Sequence, residues 1–331
     1  MDEERVILAH GEGGLATKRL IENIFAKKFS NPILNRFEDS AIIKTDGKKA
    51  FTVDAFIVEP IFFPGGDIGK LSVAGTINDL AAMGAKPKYF SASFVIEEGL
   101  KISDLEKVAD SMAKTLNEVG AEIVAADTKV VPKGHGGGIY ITTAAVGNVI
   151  IDVGIDRIVP GDVVVLSGDI ARHGAAILAA RENIETDPPL NSDCAQLWGL
   201  VEDAIISGAE IHAMRDPTRG GLATVLVEIA ERAGLGIEID ENAIPIKEQV
   251  KALCELYGFD PLYMANEGKM VFFVAENDAE KLLSALKRNE FGNSAAIIGK
   301  VTRGKGVILR TKIGGRRKLI MLEGEQLPRI C

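Results

Sequence analysis

The sequence predicts an α+β protein built from two mixed domains, each containing both helices and strands, and three observations lead there. At 331 residues the chain exceeds the usual size of one domain, and 47% hydrophobic residues supply apolar surface for two cores. Strand-like runs often follow one another without an intervening helix, which disfavours a single doubly wound parallel sheet. The turn residues Pro160-Gly161-Asp162 break the pattern near mid-chain and place a boundary between residues 150 and 160. The expected division is an N-terminal domain over 1–155, a C-terminal domain over 156–322 and a flexible tail over 323–331.

Taken in order, Leu20, Ile21, Ile24 and Phe25 recur at helical spacing after Gly13 and Gly14, and Ala50 to Val58 reads as a strand carrying Phe51, Val53 and Ile57. The run Phe63-Pro64-Gly65-Gly66-Asp67 breaks that strand before a helix through Leu71, Ala74 and Ile77. A strand near Tyr89 to Ile96 leads to a helix with a Ser103–Glu106 capping box, an apolar face of Leu105, Val108, Met112 and Leu116, and a stop at Gly120. A buried strand over Glu122 to Ala126 ends at Asp127, and Ile139 to Val149 is a further β-rich run. Beyond the boundary, Val163 to Leu166 reads as a buried strand. Ser192 is expected to open a helix ending at Gly208, and Thr218 to cap one ending at Gly234. Strands near Ile237 to Ile239, Met270 to Val274 and Val307 to Arg310 alternate with helices holding Val250 and Leu253, and Leu282 and Leu286.

Composition narrows the class of function. A formal net charge of -9, with Lys and Arg interspersed among Asp and Glu, argues against a nucleic-acid partner. No leader and no apolar run long enough to span a bilayer is evident, so a cytoplasmic protein without a membrane partner is expected. The cysteines, Cys194, Cys254 and Cys331, show neither disulfide nor zinc spacing. Cys194 and Cys254 lie in helical apolar spacing and read as small hydrophobes. Cys331, with which the sequence ends, stands apart.

Neither GxxxxGK[ST] nor GxGxxG occurs, so any nucleotide is held another way. The first half instead offers Asp39, Asp54, Asp67, Asp79 and Asp127 beside glycines or at strand ends. Singly these have plain explanations: Asp67 can cap a helix and Asp39 can serve a turn. Asp79 sits inside the apolar helical run Ile77-Asn78-Asp79-Leu80-Ala81, where Asp is a poor helix residue and needs partners. Asp54 interrupts an apolar strand. Converging carboxylates repel unless a cation lies among them, and Mg2+ is commonly shared between carboxylates and substrate phosphates. Gly65, Gly66 and Gly69 would let backbone N–H groups approach those phosphates.

The runs Leu8-Ala9-His10-Gly11-Glu12-Gly13-Gly14, Phe62-Phe63-Pro64-Gly65-Gly66-Asp67-Ile68-Gly69, Asn78-Asp79-Leu80-Ala81-Ala82-Met83-Gly84-Ala85 and Asp127-Thr128-Lys129-Val130-Val131 resemble the ATP-binding superfamily of aminoimidazole ribonucleotide synthetase and selenophosphate synthetase. With Arg215-Asp216-Pro217-Thr218-Arg219-Gly220-Gly221-Leu222-Ala223, Ala265-Asn266-Glu267-Gly268-Lys269 and Pro328-Arg329-Ile330-Cys331, the resemblance narrows to the HypE family of hydrogenase maturation factors. It runs from near residue 8 to the end.

The resemblance implies two domains of the synthetase type and a reaction in which a carboxamide on the terminal thiol is dehydrated by ATP to a thiocyanate, supplying cyanide to the iron of [NiFe] hydrogenase. It implies a carbamoyltransferase partner, HypF, an iron-scaffold partner, HypC-HypD, and a homodimer joined through the first domains. Residue by residue, it places Asp39, Asp54, Asp67, Asp79 and Asp127 around the phosphates with Gly65 and Gly66 over them, and Asp39, Asp54, Asp79 and Asp127 on Mg2+. Lys129 and Glu267 would flank the modified Cys331, one as base and one stabilising the amide oxygen, in either order. Asp216-Pro217-Thr218 reads as a helix cap that could also bind phosphate.

The tail from Glu323 is poor in apolar residues, and at about 3.3 Å per extended residue it would reach roughly 30 Å, enough to shuttle a thiol between enzymes. Arg329 is expected to favour its thiolate and the terminal carboxylate to oppose it. Two other readings stand beside this one. The first is another enzyme of the superfamily, a selenophosphate synthetase or small-molecule kinase, which would not need Cys331; the second is a non-enzymatic ATP-gated thiol carrier.

Overall fold

The computed structural model describes residues 14–20, 41–45, 47–134, 136–322, 324, 327, 330 and 331. Its first half contains α1 (Leu15–Leu20), β1 (Ala41–Thr45), β2 (Gly47–Phe56), a two-residue pair β3 (Phe62–Phe63) and β4 (Gly66–Asp67), α2 (Ile68–Ala82), β5 (Ala85–Glu97), α3 (Ile102–Val119), β6 (Glu122–Val131) and β7 (Ile139–Val149). The sheet order is β1-β2-β7-β5-β6. Its ladders are antiparallel except β5 with β6, whose parallel pairing requires the long crossover that α3 supplies. Along β2, Ala50, Thr52 and Phe56 face inward while Phe51, Val53 and Ala55 point out, the period of two expected of a half-buried strand. α2 lies across β2, β7 and β5 and beside α3. It is apolar nearly all round, as a helix enclosed by protein should be, and of its residues only Lys70 and Asp79 are not buried.

The second half contains β8 (Val163–Leu166), α4 (Arg172–Arg181), α5 (Trp198–Ile206), β9 (Ile211–Arg215), α6 (Gly221–Ala233), β10 (Gly236–Asp240), α7 (Glu248–Tyr257), β11 (Val271–Val274), α8 (Ala279–Leu286), β12 (Ala296–Thr302), β13 (Gly306–Arg310) and β14 (Arg316–Leu319). These strands form a seven-stranded mixed sheet in the order β14-β13-β10-β12-β8-β11-β9. The uniformly apolar β8 and β11 are buried throughout, and Leu166, Phe272 and Phe273 are among the largest fully enclosed side chains. Cys194 and Cys254 are buried in this core, and all three cysteines are unbridged. Among the described residues no helix is long and apolar enough to cross a membrane.

Hydrogen bonds tie the halves together at the foot of α2. Asn78 donates to the Ala195 carbonyl at 3.1 Å and accepts from Leu197 N at 2.8 Å, while Ser192 N donates to the Pro64 carbonyl at 2.8 Å.

Several local expectations are corrected. Ser103 is not a cap: the cap is Lys101, two residues earlier, with Asp104 N and Leu105 N bonded to its carbonyl. Ser192 does not open a helix, because its backbone is spent on Pro64 and its side chain on Cys194 N; α5 begins only at Trp198. Gly220, at φ +75°, precedes α6 in place of Thr218. β6 continues past Asp127 to Val131 because it pairs in parallel with the longer β5 as far as Glu97. The stops at Gly120 and Gly234 are left-handed caps, as expected.

Candidate active site

Asp54 and Asp79 approach each other from neighbouring elements: β2 presents Asp54 inward, and α2 lies over it with Asp79 pointing back. The partner that a helical Asp requires is Thr52, whose hydroxyl donates to Asp79 at 2.7 Å. From the second half, the segment after β9 adds Asp216 and Arg219, and the loop before β11 adds Glu267. Asn266 joins these two segments, accepting from Ala171 N at 2.7 Å and donating to the Pro217 carbonyl at 2.7 Å. All five side chains line one pocket, and the sixth member is Cys331. Gly75 makes room on the α2 side, since a Cβ there would meet the Phe56 ring at 2.8 Å.

The electrostatics are those of crowded, poorly solvated acids. Burial, followed by the charges of Asp216, Asp193 and Asp54, pushes the Glu267 carboxyl well above its ordinary range. Asp216 is raised to about 6, by burial first and by Asp54, against the pull of Arg215. Burial also raises Asp54 despite Arg219. The Cys331 thiol is hydrogen-bonded to Glu267 and is pushed well up, by burial and then by the Glu267 charge, with Arg219 opposing. The site therefore disfavours a free thiolate at Cys331, burial and Glu267 outweighing the cationic Arg219, and the residue expected to favour it, Arg329, lies outside the described residues. Such a pocket suits a thiol whose sulfur already carries an acyl group, and a carboxylate of raised basicity as proton acceptor.

Glu267 is held rigidly. Its N–H donates to Asp193 Oδ1 at 3.3 Å, and Asp193 is ion-paired with the buried Lys269 at 3.5 Å. Burial alone would raise Asp193, but Lys269 and Arg172 hold it below its ordinary value. Glu267 Oε1 is buried without a hydrogen-bond partner, an acceptor left for a ligand.

The other expected residues fall elsewhere. Asp67 is the N-cap of α2, accepting from Gly69 N at 2.7 Å, Lys70 N at 3.1 Å and Ser111 Oγ at 2.6 Å, so the Gly69 N–H is already engaged. Gly65, at φ +96°, packs against the Ser192 backbone, and Gly66 closes the turn between β3 and β4. Asp127 and Lys129 lie on the exposed edge strand β6, paired with each other at 3.5 Å. Within one chain Lys129 does not line the Cys331 pocket, because β6 is the edge strand and is exposed on both faces, Lys129 included. Asp39 lies outside the described residues. Sequence reasoning did not single out His173, Asp193 or Lys269; only Lys269 stood inside a quoted motif, and His173 after Arg172 and Asp193 after Asn191-Ser192 carry no distinguishing local signal.

Residues 37–149 match the family of the AIR synthase related protein, N-terminal domain, and residues 159–312 match its C-terminal domain. This defines the class: a two-domain protein of the AIR synthase related type. The curated carbamoyl dehydratase HypE of Rhizobium leguminosarum bv. viciae is 48% identical, over 99% of this chain and 95% of its own length. The structure of a HypE-HypF complex superposes with a TM-score of 0.87 at 46% identity, covering 92% of this chain and 99% of that one. Hydrogenase maturation protein HypE in complex with ATP gives 0.84 at 42% identity over 99% and 100% of the two chains. The chain belongs to the HypE carbamoyl dehydratase family.

Proposed function

We propose that this protein dehydrates a carboxamide carried on the Cys331 sulfur to a thiocyanate at the expense of ATP, the cyano group then passing to hydrogenase iron. The observation that carries the reading is the Cys331 sulfur seated against Glu267 in a pocket of raised carboxylates. The amide oxygen is a poor leaving group until it takes the γ-phosphoryl group of ATP. Phosphorylation with loss of one N–H proton forms the C=N bond, and loss of phosphate with the second proton completes the nitrile. The balance is RS–C(O)NH2 + ATP giving RS–CN, ADP, phosphate and a proton.

Glu267, with an unpartnered buried oxygen and elevated basicity, is placed to accept the N–H proton. Arg219 offers positive charge to the developing oxyanion. Among the described residues no group of three acids, histidines or cysteines forms a ready-made metal cage. Asp54 and Asp79, which face one pocket, would hold Mg2+ jointly with nucleotide phosphates, whose charge the metal would neutralise.

A homodimer would bring in the residues that one chain leaves outside. β6 is an edge strand with Val124 62% and Val130 67% exposed, and the outer face of β2 shows Phe51 and Val53 at 41% and 59%. Covering this apolar surface with a second copy would bury the strand that bears Asp127 and Lys129, which could then serve the neighbouring site. We further assign the domains as 1–155 and 156–322, with 323–331 as a tail that alternates between this pocket and partners. The carbamoyl donor is HypF, supported by the related HypE-HypF complex, and the cyanide acceptor is HypC-HypD, all in the cytoplasm.

The test is mass spectrometry of the C-terminal peptide after S-carbamoylated protein receives Mg-ATP. Loss of one water is expected in the wild type and none in Glu267→Gln. Substrate-driven ATP hydrolysis that survived Cys331→Ala would sink the reading and favour a kinase of the same class.

A further inference from the structure

The first turn of α4 holds both partners of the Cys331–Glu267 pair. Gly174 N donates to the Ala265 carbonyl at 3.2 Å and Ala171 N to Asn266 at 2.7 Å, which fixes the loop carrying Glu267. Between them stands His173, fully buried, with its ring edge-to-face on Phe63 at 5.4 Å. Its Nδ1 is 2.8 Å from Ser192 Oγ and its Nε2 is 2.5 Å from the carbonyl oxygen of Ile330, the residue before Cys331.

The proton positions follow from the acceptors. A carbonyl can only accept, so Nε2 carries a proton. Ser192 Oγ accepts from Cys194 N at 2.9 Å and keeps its own proton for Nδ1. Burial lowers the pKa of the imidazole and keeps it neutral against the attraction of Asp193, with Arg181 acting in the same direction as burial. The relay Cys194 N–H, Ser192 O–H, His173 N–H, Ile330 C=O is thus complete in one sense only. Ser192 is itself anchored, through its N–H on the Pro64 carbonyl and its backbone against Gly65.

We propose that His173, held in its Nε2–H tautomer by Ser192, is the positioning residue that seats the C-terminal tail by binding the Ile330 carbonyl, setting the Cys331 sulfur in register with Glu267. Its importance for catalysis rests on the dehydratase reading, but the seating itself does not. His173 touches no reacting atom. It acts through the tail backbone, so any group on the sulfur is presented at the same depth. Leu327 and Ile330 are buried alongside, giving the tail apolar anchorage, while the His173 bond supplies the alignment.

The full-length protein, without nucleotide or carbamoyl donor, is treated with N-ethylmaleimide, and alkylation of Cys331 is followed by mass spectrometry of its peptide; the buried Cys194 and Cys254 act as internal controls. Docking protects the thiol, so His173→Ala should speed its alkylation about fivefold, the worth of one net hydrogen bond. His173→Gln, which places an N–H near the Nε2 position, should restore the rate to within about twofold of wild type. Ser192→Ala leaves the ring in place but removes its tautomer-setting donor, and should also raise the rate by at least about twofold. Imidazole 15N shifts should report the Nε2–H tautomer in the wild type. An unchanged alkylation rate in a folded His173→Ala protein would overturn the proposal, as would His173→Gln behaving like Ala or an Nδ1–H signature. If His173→Ala does not fold, an unchanged rate in Ser192→Ala overturns it equally. Because no ATP is present, failure here leaves the dehydratase reading standing, and failure of the water-loss test leaves this one standing.

Discussion

Replacing Asp216 by Asn should stabilise the ligand-free protein in mild alkali and leave it unchanged in acid. Asp216 is only 7% exposed, and burial, aided by Asp54, lifts its carboxyl from 3.8 to about 6. A folded-state value above the unfolded one means that the group's contribution is fully present below pH 3.8 and is lost as the pH rises through about 6. That displacement corresponds to about 3 kcal/mol, at about 1.36 kcal/mol per pH unit. With an unfolding entropy of about 2.1 cal/mol/K per residue, a chain of this length shifts about 1.4 °C per kcal/mol, or about 4 °C in all. Asn keeps the volume without the charge. In scanning calorimetry without magnesium or nucleotide, Asp216→Asn should therefore melt about 4 °C above wild type at pH 8 and together with it at pH 4. Parallel melting curves across that range, or a variant less stable at pH 8, would refute the argument that an uncompensated acid is stored in this pocket. Stability gained with catalytic turnover lost is the expected signature of such a site.

Gly65→Ala places a side chain at φ +96° with its Cβ 2.8 Å from the Ser192 N and O atoms, neither of which can rotate away; a loss of about 2 kcal/mol or more in urea unfolding is expected. Lys129→Ala removes one member of an exposed pair and should change stability by less than about 0.5 kcal/mol, yet reduce dehydration turnover at least about tenfold. Lost stability with intact turnover would reverse that assignment. Lys269→Ala strands the buried Asp193 carboxylate and should cost about 3–5 kcal/mol in the same unfolding assay, with Asp193→Asn in the double variant recovering a substantial part. No recovery would show that the two side chains do not compensate each other.

Much of the fold is legible because its signals are local. The strand β2 itself, the face of Val108, Met112 and Leu116, and the left-handed stops at Gly120 and Gly234 depend on neighbours a few residues away, whereas the dry side of β2 was not legible, since the apolar Phe51 and Val53 that marked the strand point outward. The need of Asp79 for a partner was equally readable, although Thr52 as that partner was not. The expected start at Ser192 failed because short polar side chains bind what tertiary packing brings to them, for Ser192 the Cys194 N–H and His173, while its backbone bonds Pro64; the Ser103–Glu106 pattern failed because the helix backbone already starts from the Lys101 carbonyl.

The sequence by itself determined the inventory of the site: acids in excess of bases, glycines where backbone must approach closely, and a final cysteine. Only the tertiary structure decided the arrangement. It brought Asp54, Asp79, Asp216, Arg219 and Glu267 to one pocket, turned Asp67 to capping, left Asp127 and Lys129 on an outer edge, and gave His173 the Ile330 carbonyl to hold. The physical reason is range. Periodicity records the kind of element, whereas a raised carboxyl or a docked tail depends on distances between residues remote in the chain and on the water that packing excludes.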